Sequence, residues 1–150
     1  MTEEGLLSHL ARRIRRNGPL TFAEFMAEAL YHPEHGRYSR PFPPMGPEGD
    51  YITSPEVDPA FGGLLARAFA EMASRLPPGP FAIVEAGPGK GTLCRDVLMA
   101  LAREAPEVAV RARYHLVEAS GALRLEQEKA LDAAGVMKSV RFTTWPALLR

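Results

Sequence analysis

The pattern of apolar and polar positions changes character near residue 77. Before it, apolar residues recur at helical spacing. Leu6, Leu7, Leu10 and Ile14 form one stripe, so residues 3–16 are predicted to be an amphipathic helix, stopped by Asn17-Gly18-Pro19. Thr21-Phe-Ala-Glu24 has the spacing of a capping box, in which hydroxyl and carboxylate satisfy orphan amides reciprocally. The helix it opens carries Phe22, Phe25, Met26, Ala29 and Leu30 on one face and ends before Pro33. A long Pro/Gly-rich loop, 39–57, follows. Asp58-Pro59 then starts a helix with Phe61, Leu64, Leu65, Ala68, Phe69 and Met72 at helical spacing to about Arg75.

After Pro77-Pro-Gly-Pro80 the pattern becomes an alternation of strands and helices. FAIVEA (81–86) reads as a strand buried on both faces. Residues 92–104 read as a helix, 113–119 as a strand, 121–134 as a helix closed by Gly135, and 140–144 as a third strand. Strand–helix–strand–helix–strand with short connections predicts the first half of a doubly wound, Rossmann-like α/β sheet. The expected organisation is a helical region, 1–78, followed by a partial Rossmann-like domain, 79–150.

Composition narrows the function classes. With 18 basic and 18 acidic residues the formal net charge is zero, which argues against nucleic acid as a partner. No apolar run approaches the ~18 residues of a membrane span. The single cysteine, Cys94, forms no intrachain disulfide or cysteine zinc site and is expected to be a small buried residue. A reducing, cytoplasmic setting is expected, since the amphipathic, Arg-rich N-terminus carries Glu3 and Glu4 and lacks a secretory signal.

The chemistry concentrates at Glu85-Ala-Gly87-Pro-Gly89-Lys-Gly91, where a strand hands over to a helix. Glycines there accept positive φ, and the helix N-terminus behind them favours an anionic group. A phosphate-cradling loop would need Gly where Val84 stands and Ser or Thr at Gly91. The dinucleotide pattern needs Gly at Thr92, which disfavours a nicotinamide-dependent oxidoreductase. An acid followed by G-x-G-x-G is the pattern of an S-adenosylmethionine turn. Glu118, at the end of the second predicted strand, is placed to accept both ribose hydroxyls of an adenine cofactor; its alternative role is to cap the following helix. His32 and His35, flanking Pro33, are read as turn and capping residues, with no metal expected. Trp145 is read as packing.

LTFAEFMAEALYHPEHGRY, GDYITSPEV followed by FG, VEAGPGKGTLCRD and YHLVEASGALRLEQ together resemble the MidA/NDUFAF7-type family. These are class I S-adenosylmethionine-dependent methyltransferases whose mitochondrial members methylate an arginine of a respiratory complex I subunit during assembly. The resemblance runs from about residue 17 to 145 and implies S-adenosylmethionine as cofactor and a protein substrate. It implies that Glu85, Gly87, Gly89 and Gly91 form the cofactor loop and Glu118 is the ribose acid. Asp50, Thr53, Ser54, Pro55 and Glu56 match the signature segment beside the cofactor and substrate cleft. Arg37, Asp58-Pro59 and Gly63 depart from the family pattern at the edge of that signature.

The family runs to more than twice this length and carries, after a fourth strand, an Asn-Glu…Asp-Ala-Leu-Pro stretch not found here. With three strands, FAIVEA becomes an edge without protecting charges or prolines. The chain is therefore expected either to pair as a homodimer through 81–86 or to be the first half of a larger polypeptide. Two functions compete: a methyl transferase acting on a protein arginine, in which Glu56 and Asp50 either hold the guanidinium or merely order the loop, and a non-catalytic module acting through a partner.

Overall fold

The computed structural model describes residues 4–39, 46, 49 and 52–148. Helix α1 (Glu4–Asn17) and helix α2 (Phe22–Tyr31) form as the periodicity predicts. The capping box is present: the Thr21 amide donates to Glu24 Oε2 at 2.8 Å, and the Glu24 amide donates to Thr21 Oγ1 at 3.2 Å. The apolar stripes are less covered than expected. Of the α1 stripe only Leu10 is buried, while Leu7 is 70% and Phe22 of α2 77% exposed. Charge joins the two helices instead, since the Arg13 guanidinium donates to both Glu24 and Glu28.

Part of the predicted 39–57 loop is a single helical turn, α3 (Ser54–Val57). Pro55 presets φ in its first turn, and the Glu56 amide closes it on the Thr53 carbonyl at 2.9 Å. Asp58 acts as the expected cap, its Oδ1 accepting from the Ala60 amide at 2.7 Å at the start of α4 (Ala60–Ser74).

The sheet holds β1 (Phe81–Ala86), β2 (Ala112–Val117) and β3 (Val140–Thr143), all parallel and in the order β1-β2-β3. Helix α5 (Thr92–Glu104) and a short turn, α6 (Pro106–Ala109), connect β1 to β2; α7 (Gly121–Ala133) connects β2 to β3; α8 (Trp145–Leu148) follows. Arg111 fastens the Pro77–Pro80 break to the sheet, donating to the carbonyls of Gly79 at 2.8 Å and Pro77 at 3.0 Å. The core lies between sheet and helices and contains Cys94, Val97, Leu101, Tyr114, Leu116 and Leu131, together with Ala66 and Ala73 of α4. Cys94 is buried as expected, and burial pushes its thiol pKa up. Strand β1 is not buried on both faces: Ile83 is 8% exposed but Val84 43%. The central strand β2 behaves alike, with Ala112, Tyr114 and Leu116 buried and Arg113 exposed, so the core lies against one face of the sheet.

Helix α4 crosses α5 closely at Gly62, where an added Cβ would lie 2.5 Å from Asp96 Cβ and 3.3 Å from the Asp96 carbonyl carbon. Next to it, Gly63 has nothing within 4 Å. Gly62→Ala is expected to lower stability by about 1–3 kcal/mol by overpacking. Gly63→Ala is expected to raise it by about 0.5–1 kcal/mol through helix propensity. Urea midpoints of the two variants check the opposite signs.

Candidate functional site

The strand-to-helix turn after β1 runs through left-handed backbone at Gly87 (φ 66°), Gly89 (φ 56°) and Gly91 (φ 80°). Gly87 has no atom within 4 Å of an added Cβ, so its requirement is the dihedral and not space. The Gly87 amide continues the sheet ladder to the Val117 carbonyl at 3.0 Å, and the Gly91 amide closes the turn on the Pro88 carbonyl at 2.8 Å. Gly91 is the N-cap of α5 and offers no side-chain cap. The first-turn amides of α5 are therefore presented at the turn, where they favour a negatively charged group.

Around the turn is a pocket of about 240 Å³ lined by Thr53, Pro55, Glu56, Glu85, Gly87, Pro88, Gly89, Thr92 and Leu93. Glu56, on α3, is strapped to the turn: Thr92 Oγ1 donates to its Oε1 at 2.9 Å, and Lys90 Nζ lies 3.8 Å from its Oε2. Glu85 lies on the face of the sheet covered by α5 and accepts a 2.9 Å bond from the Tyr114 hydroxyl. Burial pushes its carboxyl pKa up from 4.5 to about 7. Burial, and then the charge of Glu85, push the Tyr114 phenol upward in turn.

Glu118 stands one residue beyond β2, which ends earlier than predicted. Its Oε1 accepts from the Ser120 amide at 2.7 Å, and its Oε2 from Gln127 Nε2 at 3.0 Å. The capping role proposed as an alternative for Glu118 falls to Ser120, whose hydroxyl accepts from the Leu123 amide at 3.2 Å. The same hydroxyl donates to the Tyr38 carbonyl at 2.5 Å, which brings the N-terminal segment to this end of the sheet. Tyr38 packs on Tyr31 with ring centroids 5.7 Å apart. Burial, followed by the charge of Glu118, raises the Tyr31 pKa.

Residues 64–148 match the family described as "Putative S-adenosyl-L-methionine-dependent methyltransferase". This chain belongs to that family. It is 40% identical over 131 residues to a protein arginine methyltransferase NDUFAF7 homolog, mitochondrial, of Caenorhabditis elegans, covering 84% of this chain and 30% of that protein. The mouse protein arginine methyltransferase NDUFAF7 is 40% identical over 86% of this chain and 29% of its own length. A solved structure, a likely methyl transferase from Burkholderia thailandensis bound to S-adenosyl-homocysteine, superposes with a TM-score of 0.68 at 32% identity, covering 92% of this chain and 36% of that one. The chain thus spans about a third of the length of the relatives it matches. The Rossmann-like methyltransferase fold expected from the sequence is the one found. The cytoplasmic setting is corrected, because the nematode and mouse NDUFAF7 relatives are mitochondrial proteins. A lone buried thiol speaks only for a reducing environment and does not distinguish compartments.

Of the family residues expected here, Glu85, Gly87, Gly89, Thr53 and Glu56 come together around the pocket. Gly91 and Glu118 meet through Gln127, whose Cγ would lie 3.4 Å from a Cβ added at Gly91. Ser54 is exposed at the start of α3 and does not line the pocket. Asp50 lies outside the described residues. Thr92, Lys90, Tyr114 and Gln127 were not singled out in the sequence. Gln127 left a readable signal, a polar side chain in the buried stripe Leu123–Gln127–Leu131 of α7. The tyrosine pair left none, because its position depends on how the N-terminal segment folds back.

Ligand atoms of His9, Glu28 and His32 lie within 4.8 Å of one another. Nδ1 of His32, however, accepts from the amides of Glu34 and His35, each at 3.2 Å, so the neutral ring carries its proton on Nε2 and has no lone pair to offer. The turn role expected of His32 is the one its bonds describe. A groove of about 540 Å³ between α4 and α5 is larger than the turn pocket, but it is lined by Arg67, Arg95, Asp96 and Arg103 and contains no residue of the glycine turn.

The raised pKa of Glu85 links stability to pH. The folded value lies above the unfolded one, so this contribution is fully present below pH 4.5 and is lost as pH rises through about 7. Glu85→Gln is expected to match the wild type near pH 4.5 and to exceed it at pH 8.5 by roughly 1–3 kcal/mol. Denaturant midpoints at the two pH values test this.

Proposed function

We propose that this chain binds S-adenosylmethionine at the turn after β1 and belongs to the machinery that transfers its methyl group to a protein arginine. The observation that carries the reading is the left-handed glycine turn opening onto uncapped α5 amides, with Glu118 held by two donors beyond the neighbouring strand. The residues fit such a ligand. The α5 amides suit its carboxylate, and Glu118 keeps lone pairs for hydroxyl donors. When bound, S-adenosylmethionine supplies an electrophilic methyl on a sulfonium. The chain's own residues bind and orient it, the role that proximity assigns to the protein in an in-line transfer. Arginine as acceptor is supported by the names of the relatives, and complex I assembly as the setting only by the family resemblance.

Glu56 is engaged with Thr92 and Lys90, which favours loop ordering over capture of a guanidinium. No catalytic base is assigned. The second reading, a module acting through a partner, is supported by the position of β1 at the sheet margin and by exposed Val84.

Thermal-shift titrations with S-adenosylmethionine, S-adenosylhomocysteine and NAD separate these readings. The first two should stabilise the chain by about 2.7 kcal/mol at a hundredfold excess over Kd, and NAD should not. Silence with both methyl-donor ligands overturns the cofactor reading. Stabilisation without methylation of arginine-containing proteins favours the partner module. Homodimerisation through 81–86 is expected in light scattering as twice the monomer mass, and a monomer at all concentrations removes it.

A further inference from the structure

Gln127 is completely buried in α7. Its amide nitrogen donates to the Gly89 carbonyl at 2.7 Å and to Glu118 Oε2 at 3.0 Å. One side chain therefore spans the glycine turn after β1 and the carboxylate after β2, and its stem packs against Gly91. Its orientation is dictated by chemistry. A carbonyl and a carboxylate are both acceptors, so only the NH₂ end can face them. Oε1 is left buried without a hydrogen-bond partner, an arrangement that costs stability. Such a residue is poorly suited to serve as mere filling between Leu123 and Leu131; an apolar side chain would fill that stripe without the penalty.

The bonds to Glu118 complete the picture. The Ser120 amide holds Oε1 and Gln127 holds Oε2, one donor to each oxygen. Each carboxylate oxygen has about two lone-pair sites, so one on each remains for an outside donor. Two adjacent acceptor positions on a fixed plane match the two neighbouring hydroxyls of a ribose.

We propose that Gln127, anchored on the Gly89 carbonyl, is the positioning residue that orients the Glu118 carboxylate, and that it thereby sets the preference for a ligand with an intact ribose diol. This rests on Glu118 as the ribose acid of the proposed cofactor site. Gln127→Met keeps an unbranched side chain of similar size and removes both donors. In calorimetric titrations, Gln127→Met is expected to bind S-adenosylhomocysteine about tenfold more weakly. Its affinity for the 2′,3′-dideoxyribose analogue should be unchanged, so the ratio between the two ligands falls. In a Glu118→Ala background Gln127→Met should change neither affinity. A purely structural role would weaken both ligands alike, and that result, or no change at all, overturns the proposal. A wild-type chain that binds neither ligand overturns the cofactor reading together with it. A wild type that discriminates, beside a variant that does so equally, overturns only the role of Gln127. Should Gln127→Met not fold, NMR of the wild-type Gln127 side-chain amide gives a second reading. Its signals should move more with S-adenosylhomocysteine than with the dideoxy analogue, and equal movement counts against the proposal.

Discussion

Between β1 and α5 the backbone must reverse from extended to helical within a few residues while leaving the first helical amides uncovered. That demand is met by left-handed φ at Gly87, Gly89 and Gly91, a region that costs ordinary L residues roughly 1–2 kcal/mol each. Everything else at this end of the sheet is arranged around the path so created. Gly87 remains in register with β2 through Val117, Gly91 hands directly to α5, and α4 is brought against α5 by the absence of a side chain at Gly62. The turn thus joins backbone conformation to the chemistry of the pocket beside it.

Side chains from distant parts of the chain then hold that turn from two directions. From one side Glu56 reaches Thr92 and Lys90, which fixes α3 over the pocket. From the other, Gln127 reaches Gly89 and Glu118. Neither contact is apolar, and both involve groups largely removed from water, where a hydrogen bond is stronger and an unpaired partner more costly. The pocket is thereby framed by directional bonds, with the hydrophobic core of Val97, Leu101 and Leu116 supporting it from behind.

The alternation of strands and helices was legible because its signals are local: apolar runs of strand length, glycines at the turns, and Thr21 or Asp58 at helix starts. The glycine turn and Glu118 were legible for the same reason. What escaped was set by tertiary contacts. That Glu56 of the Ser54–Val57 turn meets Thr92 is a contact between distant parts of the chain, invisible in local pattern. That β1 buries only one face follows from the core lying on one side of the sheet, which the apolar run itself cannot express. The N-terminal stripes were read correctly as helical, but periodicity does not say whether a stripe is covered, and Leu7 and Phe22 are not. The compartment expectation failed because one cysteine and two acids in an Arg-rich amphipathic N-terminus carry too little information.

The bond from Ser120 to the Tyr38 carbonyl joins residues 82 positions apart, at a place where the N-terminal helices otherwise bury little. A segment with few buried apolar contacts opens at low free energy, as a foldon separate from the sheet. Because Ser120 also caps α7 and gives its amide to Glu118, the closed state of that foldon and the order of the loop after β2 share one residue. Opening of the α2 segment would therefore be felt at Glu118 through Ser120, although the two regions share no common core.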